Sequence, residues 1–299
     1  MTIKKVCVLG GAGFVGSHIV AKLDAAGYKV KVLTRHRERA KHLILLPNVE
    51  VSTCDIASNN AMSDALSGCD AVINLIGILH ENGSSTFETV HHQIPRRLAQ
   101  VCEELGIIRL LHMSALRAGK YAPSKYLRSK AEGETAISEF SKKLDITIFK
   151  PSVIFGRGDS FLNLFATIIK LLPVVVLGKP NAKFQPIWVE DVAQAFVNAL
   201  ENTATYDKTY ELGGPKIYTL RELVQIVMDV LGKQRVIIGL NKPLSYVQGL
   251  ALEYLPGKLM TRDNVRSMEV DNVTESAIAQ ELGIAPKPLE AVIPEYLNN

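Results

Sequence analysis

Tyr126 and Lys130 stand four residues apart in SKYLRSKAEGE (124–134), a stretch that reads as a helix, so both side chains project from one face. A phenol beside an ammonium can move protons near neutral pH once its pKa falls. Bringing it from about 10 to near 7 takes roughly 4 kcal/mol of preferential phenolate stabilisation. Such a pair serves as general acid or base on a substrate oxygen. The plain alternative is two residues on a solvated helix, and the elements around them must decide.

A glycine turn is the first of those elements. VLGGAGFVGSHIV (8–20) sets Gly10, Gly13 and Gly16 at three-residue spacing, with Phe14 and Val15 inside the motif. It lies between a strand at 3–9 and a helix from Gly13 to about Ala26, with a second strand at 29–34. Glycines there permit a tight turn and bring backbone close to a pyrophosphate on the helix N-terminus. The strand before and helix after make this a dinucleotide site rather than a bare glycine turn. An NAD site presents Asp or Glu at the second strand's tip for the ribose 2′-hydroxyl. Here the tip reads Thr34, Arg35, His36, Arg37. Two guanidinium groups suit a 2′-phosphate, so NADP(H) is preferred, with NAD(H) the alternative.

Strand and helix then alternate. Strands are predicted at 49–53, 71–76, 108–113 and 145–150, and helices near 37–46, 59–67 and 86–105 and over the Tyr126 segment. The near-continuous apolar strand AVINLI (71–76) fits burial on both faces. The expected fold is α/β, a doubly wound parallel sheet of Rossmann type over 1–150, followed by a smaller C-terminal substrate lobe over 151–299. Elements near 189–213 are expected to return to the first domain: a helix from about Asp191, with Asp191 as its N-cap, and a strand in TYELGG. A further helix is expected at 219–231.

Composition excludes several functions. The 299 residues are 47% hydrophobic and 21% charged with a formal net charge of +4, and no basic stripe or run of like charges points to nucleic acid. Cys7, Cys54, Cys69 and Cys102 show no metal-ligand spacing and read as reduced, buried thiols. The opening MTIKKVCVLGG runs straight into a strand with no signal-peptide core, so the expected location is cytoplasmic. FLNLFATIIKLLPVVVLG (161–178) is apolar but broken by Asn163, Lys170 and Pro173, which excludes a spanning helix and leaves peripheral membrane contact open.

The motifs GGAGFVG (10–16), CDI (54–56), NLIG (74–77), YLRSK (126–130), KPSVIFGRGD (150–159) and FQPIWVEDVA (184–193) together resemble the extended and atypical short-chain dehydrogenase/reductases. VHHQIPRRLAQVCEELGI, KYLRSKAEGE and FQPIWVEDVA are similar to the branch of the NADPH-binding accessory subunit of respiratory complex I. The resemblance implies that Asp55 and Ile56 contact the adenine and that the turn from Asn74 through Leu75, Ile76 and Gly77 lines the cofactor cleft. It makes Tyr126 the proton donor or acceptor. Lys130 would bond the nicotinamide ribose and lower the tyrosine pKa. Pro151, Ser152 and Val153 would border the nicotinamide ring. Asp55 also reads as a turn residue.

Two departures from the family matter. Its catalytic Ser or Thr has Ser114 as the candidate here, with Ala115 as the alternative occupant of that register. His91–His92 stands where many members carry a proton-relay asparagine. His91 can chemically take that part, its free pKa being near neutral; the alternative is a partly buried, hydrogen-bonded histidine. The first reading is an NADP(H)-dependent oxidoreductase acting on a small or lipophilic (quinone- or isoprenoid-like) substrate. Phe161, Leu164, Phe165 and Ile168 form an apolar helix face that fits either the lobe's core or a greasy pocket. PLSYVQGLALEYLPGKLM offers a second apolar face. A nucleotide-sugar epimerase or dehydratase, with Arg157, Lys179 and Lys183 as potential diphosphate contacts, is the second reading. A non-catalytic NADPH-binding scaffold of a respiratory-type complex is the third. Contact with such a complex and a homodimer through the two helices at 86–105 and 126–141 are further expectations.

Overall fold

Strands that are apolar on both faces need a layer of helices on each side, and the computed structural model, which describes residues 2–254 and 259–297, has that arrangement. The first part of the chain runs β1 (Lys5–Leu9), α1 (Phe14–Ala25), β2 (Lys29–Thr34), β3 (Val49–Thr53), α2 (Asn59–Leu66), β4 (Ala71–Asn74), α3 (Ile94–Leu105), β5 (Arg109–Met113), α4 (Lys125–Ser138) and β6 (Asp145–Pro151). The second part begins with β7 (Ile154–Phe155), α5 (Phe161–Leu171), β8 (Val174–Gly178), β9 (Lys183–Phe184), β10 (Ile187–Trp188) and α6 (Val189–Ala199). It continues through β11 (Lys208–Leu212), β12 (Tyr218–Thr219), α7 (Leu220–Val230), β13 (Val236–Leu240), α8 (Lys242–Glu253) and α9 (Arg262–Ser267).

The main sheet has seven parallel strands in the order β11-β6-β5-β4-β1-β2-β3. This is a Rossmann sheet with its switch point between β1 and β4, where a ligand sits beyond the strands' carboxyl ends. One face is covered by α1 and α6 around Ile19, Val20, Leu23, Val192 and Phe196. The other is covered by α2, α3 and α4 around Met62, Leu66, Leu98, Cys102 and Ile137. A separate core of Leu162, Ile169, Val175, Leu223 and Val227 holds the small lobe. All four cysteines are buried and none forms a disulfide.

Arg109 ties the sheet's far end together. It is 2% exposed, and its guanidinium donates to the carbonyls of Leu200, Asp145 and Ala199 and to the hydroxyls of Thr147 and Thr205. It also lies 4.4 Å over the Tyr206 ring.

Three local expectations are corrected. The segment after β2 is a 3-10 helix over Arg37–Leu43 rather than a helix to 46. The expected single helix at 86–105 is two, because Glu88–Gln93 winds as a π-helix before α3 begins. Asp191 is not an N-cap. Trp188 takes that position, and Asp191 lies in the first turn of α6, where its carboxylate accepts the backbone N–H of Lys287 at 2.8 Å.

Candidate functional site

The glycine turn closes on itself so tightly that side chains are excluded. Gly10 has φ +79°, and a Cβ there would stand 3.1 Å from the Leu75 backbone, so the β1 and β4 exits touch main chain to main chain. A Cβ on Gly16 would stand 2.2 Å from the Gly10 carbonyl oxygen. The N-terminus of α1 has no side-chain cap and no acidic residue in its first turn. Its amides and positive dipole end therefore face the switch point without a competing anion, which suits a pyrophosphate. Val15 is buried beneath the turn, and Phe14 reaches toward Gly158, whose Cβ would lie 3.8 Å from the Phe14 ring.

At the tip of β2, Thr34 Oγ1 accepts the His36 N–H at 3.1 Å and holds the turn. Arg35 and Arg37 are exposed and, among the described residues, neither guanidinium is paired with a carboxylate. Asp55 accepts the Ala57 N–H at 3.0 Å, as a turn residue does, and the carbonyl of half-buried Ile56 accepts from Arg97 at 3.2 Å. Buried Asn74 shapes the β4 exit: its Oδ1 accepts the Ile76 N–H at 3.2 Å, and its Nδ2 donates to His112 Nδ1 at 3.0 Å. These residues gather at the carboxyl ends of β1 to β4, the cradle where a sheet of this order takes a dinucleotide.

Tyr126 and Lys130 approach this cradle from α4. Ser124 caps the helix through the Leu127 N–H, and the Asp263 carboxylate of α9 accepts both the Lys125 and Tyr126 N–H groups at 2.8 and 2.9 Å. Gly133 lets α4 press onto the π-helical turn, since a Cβ there would stand 2.1 Å from the His91 carbonyl. Lys130 Nζ donates to the Met113 carbonyl at the end of β5, at 2.7 Å. A Cβ on Gly77 would lie 3.6 Å from His91 Nε2 and 3.9 Å from Lys130 Nζ, so the NLIG turn, the histidine and the ammonium converge.

His91 is a neutral pillar here. Its Nε2 lies 3.0 Å from the Ile78 N–H, which can only donate, so Nδ1 carries the proton and donates to Ser129 Oγ at 2.8 Å. Ser129 in turn donates to the Tyr126 carbonyl at 2.8 Å. Burial, then the Lys130 charge, pushes the His91 pKa down to about 3. An imidazole with both nitrogens committed and no charged form near neutrality does not shuttle protons, so the relay role is set aside. The His91 ring meets Tyr126 edge-on at 5.6 Å and stacks on Phe87 at 5.3 Å, which fixes the phenol's position.

The expected lowering of the tyrosine pKa is not present. Burial pushes Tyr126 up to about 12, and burial likewise pushes Lys130 down to about 8 against the opposing pull of Glu134. The ammonium is aimed at the Met113 carbonyl, and among the described residues the Tyr126 hydroxyl makes no hydrogen bond. The pair thus presents a protonated phenol.

Ser114 is turned elsewhere. Its hydroxyl donates to Glu134, one helical turn beyond Lys130, whose other oxygen lies 3.1 Å from Lys150 Nζ. Ala115 is buried beside it. Buried Pro151 and Ser152 and half-buried Val153 are held by Asn272, whose Oδ1 accepts the Ser152 hydroxyl at 2.6 Å and the Val153 N–H at 2.9 Å. Asn272, Asp263, Ser129 and Glu134 escaped the sequence reading. Only Gly133, a glycine inside a helix, carried a signal, that of close backbone approach.

Beside this helix a cavity of about 320 Å³ opens toward α8 and α9, lined among others by Phe87, Lys125, Tyr246, Arg262, Asp263 and Arg266. Arg262 is paired with Glu253 at 2.9 Å, and Arg266 donates to the Tyr246 hydroxyl at 3.2 Å.

Residues 6–213 match the NAD dependent epimerase/dehydratase family. The chain belongs to that family. It is a family of nicotinamide-dinucleotide-binding, short-chain dehydrogenase/reductase-like proteins. Across 95% of this chain and 77% of the relative, the sequence is 34% identical to the mitochondrial NADH dehydrogenase [ubiquinone] 1 alpha subcomplex subunit 9 of Mus musculus. A ceramide reductase of Caulobacter vibrioides is 27% identical across 80% of this chain and 74% of its own. In fold, an NADPH-dependent quinone oxidoreductase of Escherichia coli superposes with a TM-score of 0.78 at 17% identity, covering 98% of this chain and all of that one.

Proposed function

We propose that this family member is an NADP(H)-binding oxidoreductase that reduces a carbonyl group on a small or lipophilic substrate. The meeting of Lys130 and His91 at the Gly77 turn, with Tyr126 edge-on to the His91 ring, carries the reading. The bound nicotinamide supplies the hydride. The chain supplies the rest: α1 holds the pyrophosphate, Arg35 and Arg37 meet the 2′-phosphate, and the 151–153 segment borders the ring. Protonated Tyr126 gives its Oη proton to the substrate oxygen as the carbonyl becomes an alcohol. Lys130 keeps positive charge beside the developing phenolate. A phenol held protonated suits reduction, in which the tyrosine starts as the acid.

Similarity to a ceramide reductase supports a lipophilic substrate over a nucleotide sugar. The cavity does not discriminate in the same way: beside Leu79 and Phe87 it is lined by polar and charged side chains, among them Lys125, Arg262, Asp263 and Arg266. The second reading, a cofactor-binding scaffold in a respiratory-type complex, is favoured by the similarity to a complex subunit over nearly the whole chain and by the diverted Ser114 hydroxyl.

Titration calorimetry with NADPH and NADH on wild type and Arg35→Ala tests the cofactor assignment. NADPH affinity is expected to fall tenfold or more while weak NADH binding stays unchanged; equal binding of both cofactors, insensitive to Arg35, refutes it. Tyr126→Phe should retain cofactor binding and lose NADPH-dependent turnover of ketone, quinone and ketosphingoid substrates. If wild type binds cofactor but turns over none of these, the scaffold reading takes its place.

A further inference from the structure

The apolar run 161–178 packs mostly into the core, but its exposed Leu171, Leu172 and Val176 and the exposed Leu244 and Val247 of α8 lie on neighbouring elements. β8 and β13 pair in parallel with Val174 opposite Val236 and Val176 opposite Ile238. Alternation along a strand therefore puts these four side chains on one face of the ribbon. Val236 is 63% exposed, and Val176 and Ile238 are exposed beside it. Leu171, 75% exposed, and Leu172 lie just before β8. α8 lies along β8, its Gln248 donating to the Val176 carbonyl at 2.9 Å and its Ser245 hydroxyl accepting the Lys179 N–H at 3.1 Å. It turns Leu244 and Val247, one helical turn apart and both more than half exposed, to the outside. Exposed aliphatic side chains gathered this way mark an interaction surface.

The charge on this surface is one-sided. Residues 160–189 and 230–252 contain Lys170, Lys179, Lys183, Lys233, Arg235 and Lys242 and no Asp or Glu, and the one carboxylate of α8, Glu253 at its last position, is paired with Arg262 at 2.9 Å. The remainder of the chain carries 28 basic against 30 acidic residues, so the whole positive excess of the protein resides here. Acidic groups from neighbouring elements engage two of the six: Glu269 meets Lys242 at 3.0 Å and Asp271 meets Lys183 at 3.8 Å. Among the described residues, Lys170, Lys179, Lys233 and Arg235 have no carboxylate partner.

We propose that this face, built from the β8–β13 ribbon and α8, docks on the surface of an anionic phospholipid bilayer. Aliphatic side chains would enter the headgroup boundary while the lysines snorkel to phosphates, a combination that binds peripherally. No helix among the described residues is long and apolar enough to cross a membrane. A second copy of the chain is a poor occupant, since a two-fold contact would set these cations against their own images. A protein partner is disfavoured because lysine is depleted from such interfaces. The proposal does not depend on the cofactor or the Tyr126 chemistry.

Flotation of the full chain with vesicles tests it, using phosphatidylcholine alone or mixed with phosphatidylglycerol, at low and high salt. Binding is expected only to the anionic vesicles, and it should weaken with salt. The double variant Lys170→Gln/Lys233→Gln should bind about 25-fold more weakly, at roughly a fivefold loss per cation. Ile238→Asp/Val247→Asp should abolish flotation while cofactor affinity and melting temperature hold, because both side chains are already in solvent. Failure of wild type to float with anionic vesicles overturns the proposal. So does flotation unmoved by either double variant, or a dimer in sedimentation that Val247→Asp dissolves without any vesicle binding.

Discussion

Gly16→Ala is the most demanding perturbation of the cofactor cradle. The added Cβ would stand 2.2 Å from the Gly10 carbonyl oxygen, 2.6 Å from Gly11 Cα and 2.8 Å from the Gly11 carbonyl carbon. All three are backbone atoms, so no rotamer change relieves the clash. Reaching an ordinary contact requires α1 or the turn to retreat by about 1 Å. α1 cannot slide freely, because Val15, Ile19, Val20 and Leu23 lock it into the core beneath. Overpacking of this kind costs about 1–3 kcal/mol, or roughly 5–150-fold in an equilibrium constant. The displaced amides are the ones that meet the pyrophosphate, so NADPH affinity should fall by ten- to a hundredfold and the melting temperature by several degrees. Titration calorimetry and thermal unfolding read the two effects. Gly13→Ala is the control: its Cβ makes a single contact of 3.2 Å, and φ there is an ordinary −82°. Wild-type affinity in Gly16→Ala, or an equal loss in both variants, would refute the close-approach argument.

For reduction with NADPH, kcat/KM is expected to fall as pH rises through about 8, where Lys130 loses its proton, while Tyr126, held up to about 12, keeps its own. Lys130→Arg stays charged and should lose that limb. No limb is expected in the ordinary histidine range, because His91 is held at about 3; a limb there that disappears in His91→Asn contradicts the pillar role. Arg109→Met leaves the Leu200 and Asp145 carbonyls without their guanidinium donor and should cost about 3–5 kcal/mol in urea unfolding. Arg109→Lys should recover only part of this, one ammonium being unable to reach five acceptors; a Met variant as stable as wild type contradicts this view of the sheet's end.

Much of the Rossmann domain was legible because its signals are local. Alternating apolar segments, the glycine spacing and the four-residue interval from Tyr126 to Lys130 each follow from backbone geometry within a few residues. Local periodicity could not show that Glu88–Gln93 winds as a π-helix, nor that Gly133 of α4 meets the His91 carbonyl there, because that contact lies between helices far apart in the chain. It could not show that His91 is neutral, because burial and the Lys130 ammonium supply the cause from another helix. The Tyr126 pKa moved opposite to expectation for the same kind of reason: helical spacing sets which face a side chain occupies, while burial and the Met113 carbonyl determine what surrounds the pair.

Contacts remote in sequence decided the rest. Ser114 bonds a glutamate twenty residues away, Asn272 grips 151–153 from far along the chain, and Asp263 holds the start of α4. The sequence by itself determined which elements form and which side chains share a face, because both depend on neighbours three or four residues apart. Only the tertiary structure decided protonation, hydroxyl direction and which apolar faces remained uncovered, because those depend on desolvation and on partners that the chain brings together when it folds.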